Sequence, residues 1–270
     1  MKEISSKDNK IFRHALSLKK KKYRDINGEY LIEGPNLIKE ALKEGIQIEG
    51  VFVRPDFDEN GPDGSILGEE KIGDKSFMLS ASLFDNLSDT ETPQGLIAVV
   101  RKPDGASAPV PEDGNIIVLD RLQDPGNIGT ILRTADAAGF SLAIFVKGTA
   151  DPFSPKVIRS ATGSLFRVPI CFADDAAHVT DLVHSYGLKL VTTSMDAEKS
   201  CYECDLSRGV AIVIGNEGNG VSDELFESAD LKIRIPMEGR TESLNASVAA
   251  GILMYERIRR QYERIVTANS

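Results

Sequence analysis

The segment from Asp120 to Phe140, DRLQDPGNIGTILRTADAAGF, constrains the fold of this chain more than any other. Its apolar and small residues have the spacing of one buried helical face: Ile128, Ile131, Leu132, Ala135 and Gly139. At about 100° per residue, Arg133 falls roughly 140° from the middle of that face. The segment therefore predicts a helix that packs on a core through one side and directs an arginine away from it.

The residues before this helix are typical of a strand that ends in a turn. Asp124-Pro125-Gly126 stops the strand and starts the helix, with Asn127 as the N-cap or as a first-turn residue. The N-terminus of a helix attracts anions, because its backbone N–H groups are unpaired and the helix dipole is positive there. The sequence thus predicts polar side chains beside a position suited to negative charge.

Two later segments repeat this arrangement of polar residues after a strand. VAIVIGNEGNGVSDEL predicts a buried strand over Val210 to Ile214, followed by a glycine loop that contains Glu217. KIRIPMEGRTESLNASVAAGILMYE predicts a strand that ends near Ile235, then a turn, then a long helix. Ser243 and Asn245 lie at the start of that helix. The chain therefore carries three groups of polar residues, each at the end of a predicted strand.

The stretches NIGTILRTADAAG, IVIGNEGNGVS and IPMEGRTESLNASVA resemble the three sequence blocks of the SpoU (TrmH-like) branch of the SPOUT RNA methyltransferases, in that family's order. The resemblance covers about residues 115–265 and includes every polar position. It implies an α/β domain with a parallel sheet, whose C-terminal segment forms a trefoil knot, a rare exception among protein chains. It also implies an enzyme that uses S-adenosylmethionine to methylate a ribose 2′-hydroxyl in RNA.

The resemblance implies roles for individual residues. The polar active-site set consists of Asn127, Arg133, Glu217, Ser243 and Asn245. The cofactor would be held mostly by backbone groups near Thr193, Gly215, Ile235 and Leu244. A guanidinium stays protonated in proteins, so we expect Arg133 to act as a phosphate clamp and electrostatic stabiliser rather than as a base. The family also implies a homodimer formed through the catalytic domains.

Each assignment has a simpler structural alternative. An exposed arginine is most often only solvated, Glu217 can occupy a surface turn, and Ser243 and Asn245 can serve as helix cap and turn residues. Three blocks in the family's order make coincidence the weaker explanation. Two other functions remain open: an RNA-binding module without catalysis, and a dinucleotide-dependent oxidoreductase. The second is disfavoured, because GNEGNG is not G-x-G-x-x-G and lies late in the chain.

A proline-rich stretch over residues 101–114 predicts a boundary between two domains. We expect an RNA substrate-binding domain over 1–105, a linker over 106–114 and the catalytic domain over 115–270. YLIEGPNLIKEAL, VFV and TPQGLIAVV are similar to the small α/β, ribosomal-protein-like domain that precedes many SpoU enzymes. Apolar runs predict strands over 29–33, 49–54, 95–100, 116–119, 142–146, 168–172, 188–193, 210–214 and 232–235.

The charge of the chain is unevenly distributed. The net charge is −9 with a pI near 5.0, which argues against nonspecific coating of nucleic acid. Residues 1–24, however, contain nine basic and two acidic residues. Cations are what an RNA backbone requires, although such runs are often only solvated faces. The candidate RNA-binding residues in this run are Lys19, Lys20, Lys21, Lys22 and Arg24.

Composition predicts a cytoplasmic protein without a membrane segment. No apolar run approaches the roughly 20 residues of a membrane helix, and the lysine-rich start has no signal-peptide core. Cys201 and Cys204 have the spacing of half a zinc site or of a redox pair, but no second pair exists, so we predict no metal. The front domain favours ribosomal over transfer RNA by analogy, with a transfer RNA 2′-O-methyltransferase as the alternative. Neither the nucleotide nor its base is determined by the sequence.

Overall fold

The computed structural model describes residues 1–103, 110–111, 114–241 and 243–268. The strands are β1 (Lys2–Ile4), β2 (Glu29–Glu33), β3 (Ile48–Val53), β4 (Ser76–Leu79), β5 (Leu96–Arg101), β6 (Asn115–Leu119), β7 (Leu142–Val146), β8 (Ile170–Ala173), β9 (Lys189–Thr193), β10 (Lys199–Ser200), β11 (Val210–Ile214) and β12 (Leu231–Arg234). The α-helices are α1 (Lys10–Ser17), α2 (Lys21–Asn27), α3 (Pro35–Lys43), α4 (Ala81–Leu87), α5 (Pro125–Ala137), α6 (Pro155–Ala161), α7 (Ser164–Arg167), α8 (Ala176–Ser185), α9 (Asp223–Glu227) and α10 (Ala246–Ala268).

Packing divides the chain into two compact units. The first comprises Met1–Asp104 together with Phe153–Phe166, and the second comprises Gly105–Pro152 together with Arg167–Ser270. Most of the predicted linker over 106–114 lies outside the described residues. The functional domain boundaries therefore stay predictions, and residues 153–166 pack with a unit other than the one their place in the sequence suggested.

The first unit contains a mixed sheet in the order β1-β4-β3-β5-β2. β4 pairs in parallel with β1 and β3, whereas β5 is antiparallel to β2 and β3. Apolar side chains from α1, α4 and one face of the sheet form its core, with Phe12, Phe52 and Phe84 at most 1% exposed. The ring of Phe153 lies 4.8 Å from that of Tyr30, which attaches the 153–166 segment to β2.

The second unit contains a parallel sheet in the order β10-β12-β9-β11-β6-β7-β8. β6, β7 and β11 are buried along their whole length, as expected for parallel strands covered on both faces. The chain runs from β6 outward to β8, then returns to the other side of β11 to form β9. Ligands bind at such reversals, at the carboxyl ends of the strands, because the loops there separate and leave a crevice.

Helix α5 buries most of the face that the sequence predicts. Ile128, Ile131, Leu132 and Ala135 are fully buried, and Arg133 is exposed. Gly139 was wrongly placed on this face: the helix ends at Ala137, and Gly139 is an exposed residue at φ 69° that lets the chain leave the helix. The N-cap is Asp124, whose carboxylate accepts the Asn127 N–H at 2.7 Å. Asn127 is therefore a first-turn residue.

Helix α10 packs against α5 and β11. Ala250, Leu253 and Met254 are fully buried on that side. Small residues near its start allow this close approach to α5. No helix among the described residues is long and apolar enough to cross a membrane.

Candidate active site

The ends of four neighbouring strands meet at the carboxyl edge of the parallel sheet. Leu119 of β6 pairs with Ile214 of β11, and Thr193 of β9 pairs with Ile233 of β12. The residues that follow these strands, including Gly215, are therefore brought to one edge. The polar residues of all three predicted blocks lie near this edge, although Glu217 and Asn245 are 90 and 118 residues from Asn127 along the chain.

The glycine loop after β11 is a tight hairpin. Asn216 and Gly220 exchange two backbone hydrogen bonds of 2.9 Å, and the Asn216 side-chain oxygen accepts the N–H groups of Gly218 and Asn219. A Cβ at position 215 would lie 2.2 Å from the carbonyl carbon of Gly220. The hairpin therefore requires glycine at 215, because backbone atoms at that distance cannot be displaced without opening the turn.

A continuous chain of hydrogen bonds joins the three blocks. The Glu217 carboxylate accepts the backbone N–H groups of Gln123 and Asp124 at 3.3 and 3.2 Å, and the side-chain amide of Asn127 at 3.2 Å. The Asn127 side-chain oxygen in turn accepts the amide of Asn245 at 2.9 Å. Asn127 is buried, so its orientation is set by these two partners. The structure thus brings three of the five predicted polar residues together.

The environment of Glu217 favours the ionised carboxylate. Partial burial acts to raise its pKa, but hydrogen bonds from its own backbone N–H, from Asn127, and from the N–H groups of Asp124 and Gln123 outweigh that effect and lower the pKa. Glu217 therefore carries a negative charge at neutral pH, at the N-terminal end of α5. Glu217 is exposed in the Asn216–Gly220 turn, as the simpler interpretation expects, and its hydrogen bonds tie that turn to the start of α5.

Asn245 also starts helix α10. Its side-chain oxygen accepts the N–H groups of Ser247 and Val248 at 2.9 and 3.3 Å, and its backbone carbonyl accepts the Ala249 N–H. Asn245 is therefore the helix cap, and the same side chain positions Asn127 through its amide. The cap was expected of Ser243 in the simpler interpretation.

Arg133 and Ser243 do not join the hydrogen-bonded chain. Both are exposed, and neither makes a hydrogen bond or an ion pair to another described residue. Arg133 lies on α5, on the side away from the core. Both side chains are therefore available to a ligand.

The predicted cofactor-binding residues lie at the carboxyl ends of three adjacent strands, β9, β11 and β12, and just before α10. All four are half-buried, so a ligand can reach them while the surrounding structure holds them in position: Thr193, Gly215, Ile235 and Leu244. Beside them, the Thr192 hydroxyl is fully buried and has no hydrogen-bond partner among the described residues. Backbone groups at strand ends and two half-buried aliphatic side chains fit a ligand with an aromatic ring and polar groups, whereas the buried Thr192 hydroxyl is not accessible to one.

Sequence reasoning missed Gln123, Asp124 and Asn216 as parts of this site. The first two donate backbone N–H groups to Glu217, and Asn216 donates its amide to the backbone carbonyl of Arg121 at 2.8 Å. The Asp-Pro-Gly turn was the only signal for Asp124. The Gln123 contact uses a backbone N–H, which has no side-chain signature, and the Asn216 amide donates to a carbonyl 95 residues away, so neither contact could be found without the tertiary structure.

The basic run of the first unit is divided between structural and exposed residues. Lys19 donates to two backbone carbonyls at 3.0 Å. Arg24 is buried and donates to two others at 2.8 and 2.9 Å, so its guanidinium supports the turn before α2 and is not available to a phosphate. Lys20, Lys21 and Lys22 are exposed. The RNA-binding hypothesis therefore rests on these three lysines.

The cysteines are all free, with Cys201 and Cys204 buried and Cys171 half-buried. Burial raises the pKa of the Cys201 thiol, and the nearby Glu256 carboxylate adds to that effect. A raised pKa disfavours the thiolate, which is the form that binds metals and reacts in redox exchange. Within the described residues, no group of three or more His, Cys, Asp or Glu side chains could hold a metal ion.

Residues 114–255 match the model of the SpoU rRNA Methylase family, and residues 9–98 match the MRM3-like substrate binding domain. The chain belongs to the SpoU family. The 23S rRNA (guanosine(2553)-2′-O)-methyltransferase RlmP of Bacillus subtilis (strain 168) is 37% identical, over 94% of this chain and 98% of that protein. The 23S rRNA (uridine(2479)-2′-O)-methyltransferase of Streptomyces viridochromogenes is 31% identical, over 87% and 84%.

A solved structure extends this similarity to the fold. The crystal structure of the SpoU methyltransferase AviRb from Streptomyces viridochromogenes, in complex with the cofactor AdoMet, is similar with a TM-score of 0.85 and 29% identity. The alignment covers 94% of this chain and 98% of that one. The predicted α/β SPOUT fold with a parallel sheet is therefore confirmed. The trefoil knot stays a prediction.

Proposed function

We propose that this SpoU protein transfers the methyl group of S-adenosylmethionine to a ribose 2′-hydroxyl in ribosomal RNA. The observation that carries the proposal is the hydrogen-bonded chain Glu217–Asn127–Asn245, which assembles all three family blocks at the carboxyl edge of the sheet. The exposed Arg133 stands on the same helix as Asn127. Membership of the family leaves the oxidoreductase alternative without support, and an assembled polar site argues against a non-catalytic RNA-binding module.

Ribosomal RNA is the substrate class that the relatives favour. Two of them, named above, methylate 23S rRNA according to their names, and both align over most of this chain. The first unit matches a substrate-binding domain over residues 9–98, which is where the exposed lysines lie. A ribosomal substrate agrees with the predicted cytoplasmic location. Transfer RNA is the alternative that a methylation map would detect.

Bound S-adenosylmethionine supplies a sulfonium methyl group, which is already a good electrophile. Thr193, Gly215, Ile235 and Leu244 would hold it, largely through backbone groups. The protein must then align the ribose oxygen and stabilise the negative charge that develops as the hydroxyl loses its proton. Arg133 suits the second task, since its guanidinium is a permanent cation that can also bind an adjacent phosphate.

The remaining polar residues orient the substrate or hold the groups that orient it. Asn127 keeps one amide N–H and one oxygen lone pair beyond its two internal hydrogen bonds, and these can meet a ribose hydroxyl. Glu217 already accepts three hydrogen bonds, so we assign it the role of holding Asn127 and the start of α5. Ser243 is exposed and lies outside this hydrogen-bonded chain, so its hydroxyl is open to a ligand from the third block.

The direct test is methyl transfer from labelled S-adenosylmethionine to RNA and to DNA of the same sequence. We expect label in RNA only, because only RNA offers the 2′-hydroxyl. Mapping 2′-O-methylation across total RNA, in cells with and without the protein, would then identify the nucleotide. Equal transfer to both polymers, or methyl found on a base, would contradict the proposal.

We further propose that Lys20, Lys21 and Lys22 bind RNA phosphates. Replacing all three with glutamine should weaken RNA binding and flatten its salt dependence, since each lost phosphate contact removes roughly 0.7 to 0.9 from the slope of log K against log salt. Binding is measured at several salt concentrations. The matched control replaces three exposed lysines elsewhere, Lys43, Lys189 and Lys199. Equal slopes in the two variants would show that the run is only solvated.

A homodimer is supported by the exposed apolar face of α10. Val248, Tyr255 and Tyr262 are spaced by seven residues, two helical turns, and are 49%, 53% and 66% exposed. Large apolar side chains along one helix face are typical of an interface. We expect Tyr255→Asp combined with Tyr262→Asp to yield a monomer by light scattering, and Tyr202→Asp, at a tyrosine 50% exposed outside this helix, to leave a dimer. A monomeric parent protein would contradict the proposal.

A further inference from the structure

Arg121, the second residue after β6, has a backbone conformation that is rare for an arginine. Its φ is 58°, in the left-handed region that favours glycine. Three side chains hold it there: its N–H donates to the Thr149 hydroxyl at 3.0 Å, and its carbonyl accepts the amides of Asn216 and Gln123 at 2.8 and 3.1 Å. Such strain persists only where the surrounding structure holds it in place, and it is most frequent at active sites and ligand-binding sites.

The stem of the Arg121 side chain is also held. Its Cγ lies 3.3 Å from where a Cβ would stand at Gly148, a glycine at φ 98°, so the glycine leaves room for it. Its Nε lies 3.3 Å from the carboxylate of Asp120, without the alignment of a hydrogen bond. The Asp120 side chain is 1% exposed, whereas that of Arg121 is 45% exposed. The guanidinium is therefore oriented through its Nε, and the side chain remains partly open to solvent.

The position of Arg121 in the sheet places it at the candidate active site. Asn216, whose side-chain amide donates to the Arg121 carbonyl, directly precedes Glu217 in the hairpin. Leu119 of β6 pairs with Phe145 of β7. Arg121 and the exposed Lys147 each follow this pair by two residues, so they lie side by side after adjacent strands. The two cations thus stand on the β6–β7 side of the edge, whereas the predicted cofactor-binding residues follow β9, β11 and β12. The substrate side of such a site requires positive charge for an RNA backbone.

We propose that Arg121 binds a phosphate of the substrate RNA and so fixes the target nucleotide at the active site. This inference rests on the proposed function and adds a residue outside the set that the family resemblance implies. Arg121 is a substrate-binding residue in this role, because its guanidinium contacts the RNA backbone and not the reacting ribose oxygen. The competing explanation is that Arg121 only neutralises the buried Asp120.

The test uses Arg121→Gly in the full chain, because glycine adopts the required φ without steric cost and preserves the loop. We expect RNA affinity to fall roughly tenfold, as for a lost charged hydrogen bond, and the salt slope to fall by about 0.7 to 0.9. The affinity for S-adenosylmethionine and the unfolding temperature should not fall. Arg121→Lys, which keeps the charge, should retain most of the salt slope.

Two controls separate the explanations. Arg208→Gln removes an exposed arginine just before β11, at the opposite edge of the sheet, and should leave RNA binding unchanged. The double variant Asp120→Asn with Arg121→Gly removes the buried charge as well. If RNA affinity returns in the double variant, or if Arg121→Gly binds RNA as the parent does while the parent methylates RNA, the inference is overturned. A parent protein that does not methylate RNA overturns the proposed function instead.

Discussion

Replacing Arg133 with alanine is expected to lower the rate of methyl transfer by about 10² to 10³, the usual cost of losing one contact to developing negative charge. The affinity for S-adenosylmethionine should be nearly unchanged, because Arg133 is on α5 and outside the residues predicted to hold the cofactor. The fold should also be unchanged, since the side chain is exposed and has no partner among the described residues. Single-turnover kinetics and calorimetric cofactor titration measure the two quantities separately.

Arg133→Lys and Arg208→Ala serve as controls for this expectation. Lysine keeps the positive charge but not the planar fork, so it should restore only part of the rate. Arg208 is exposed at the amino edge of the same sheet, and its loss should not affect turnover. An Arg133→Ala enzyme that turns over normally, or that no longer binds the cofactor, would refute the role assigned to Arg133.

Gly215→Ala is expected to abolish most cofactor binding. Its Cβ would lie 2.2 Å from backbone atoms of Gly220 and Val221, so the hairpin must open. Forcing extra volume into such a position costs about 1 to 3 kcal/mol, and if that cost is paid on cofactor binding it corresponds to roughly five- to 150-fold in affinity. Because Asn216 and Glu217 belong to the same hairpin, the hydrogen-bonded chain to Asn127 should be disturbed and methyl transfer should fall as well.

Gly218→Ala is the matched control in the same hairpin. A Cβ there would meet only the side-chain oxygen of Asn216, at 3.5 Å, an ordinary contact. We expect this variant to bind S-adenosylmethionine like the parent in a calorimetric titration. If Gly215→Ala and Gly218→Ala behave alike, the close approach at Gly215 is not what shapes the loop.

Local sequence patterns predicted the regular elements best where burial is uniform. β2, β7 and β11 begin and end at the predicted residues, since apolar runs in buried strands have clear limits. β1 and β4 were not predicted: β1 is three residues long, and both exist because they pair with each other and β4 pairs with β3. Helix α2 was missed as well, because its basic residues show no apolar face.

In the candidate site, too, some residues could be selected from the sequence and others could not. The family resemblance selected Asn127, Glu217 and Asn245, and the structure joins them directly. Arg24 was selected because of its neighbours in a basic run, yet it is buried beneath them. Sequence patterns report the type of a side chain and its local spacing, and they do not report whether its charge is already occupied by backbone carbonyls.

By itself, the sequence determined the two α/β halves, the outward-facing Arg133 and the three polar blocks, because strand and helix periodicity and turn residues act over a few neighbours. Only the tertiary structure decided which distant residues meet. The strand order β12-β9-β11-β6 brings Glu217 to Asn127, 90 residues away, and packing groups residues 153–166 with the first unit. These outcomes depend on long-range pairing of buried surfaces, which no local pattern encodes.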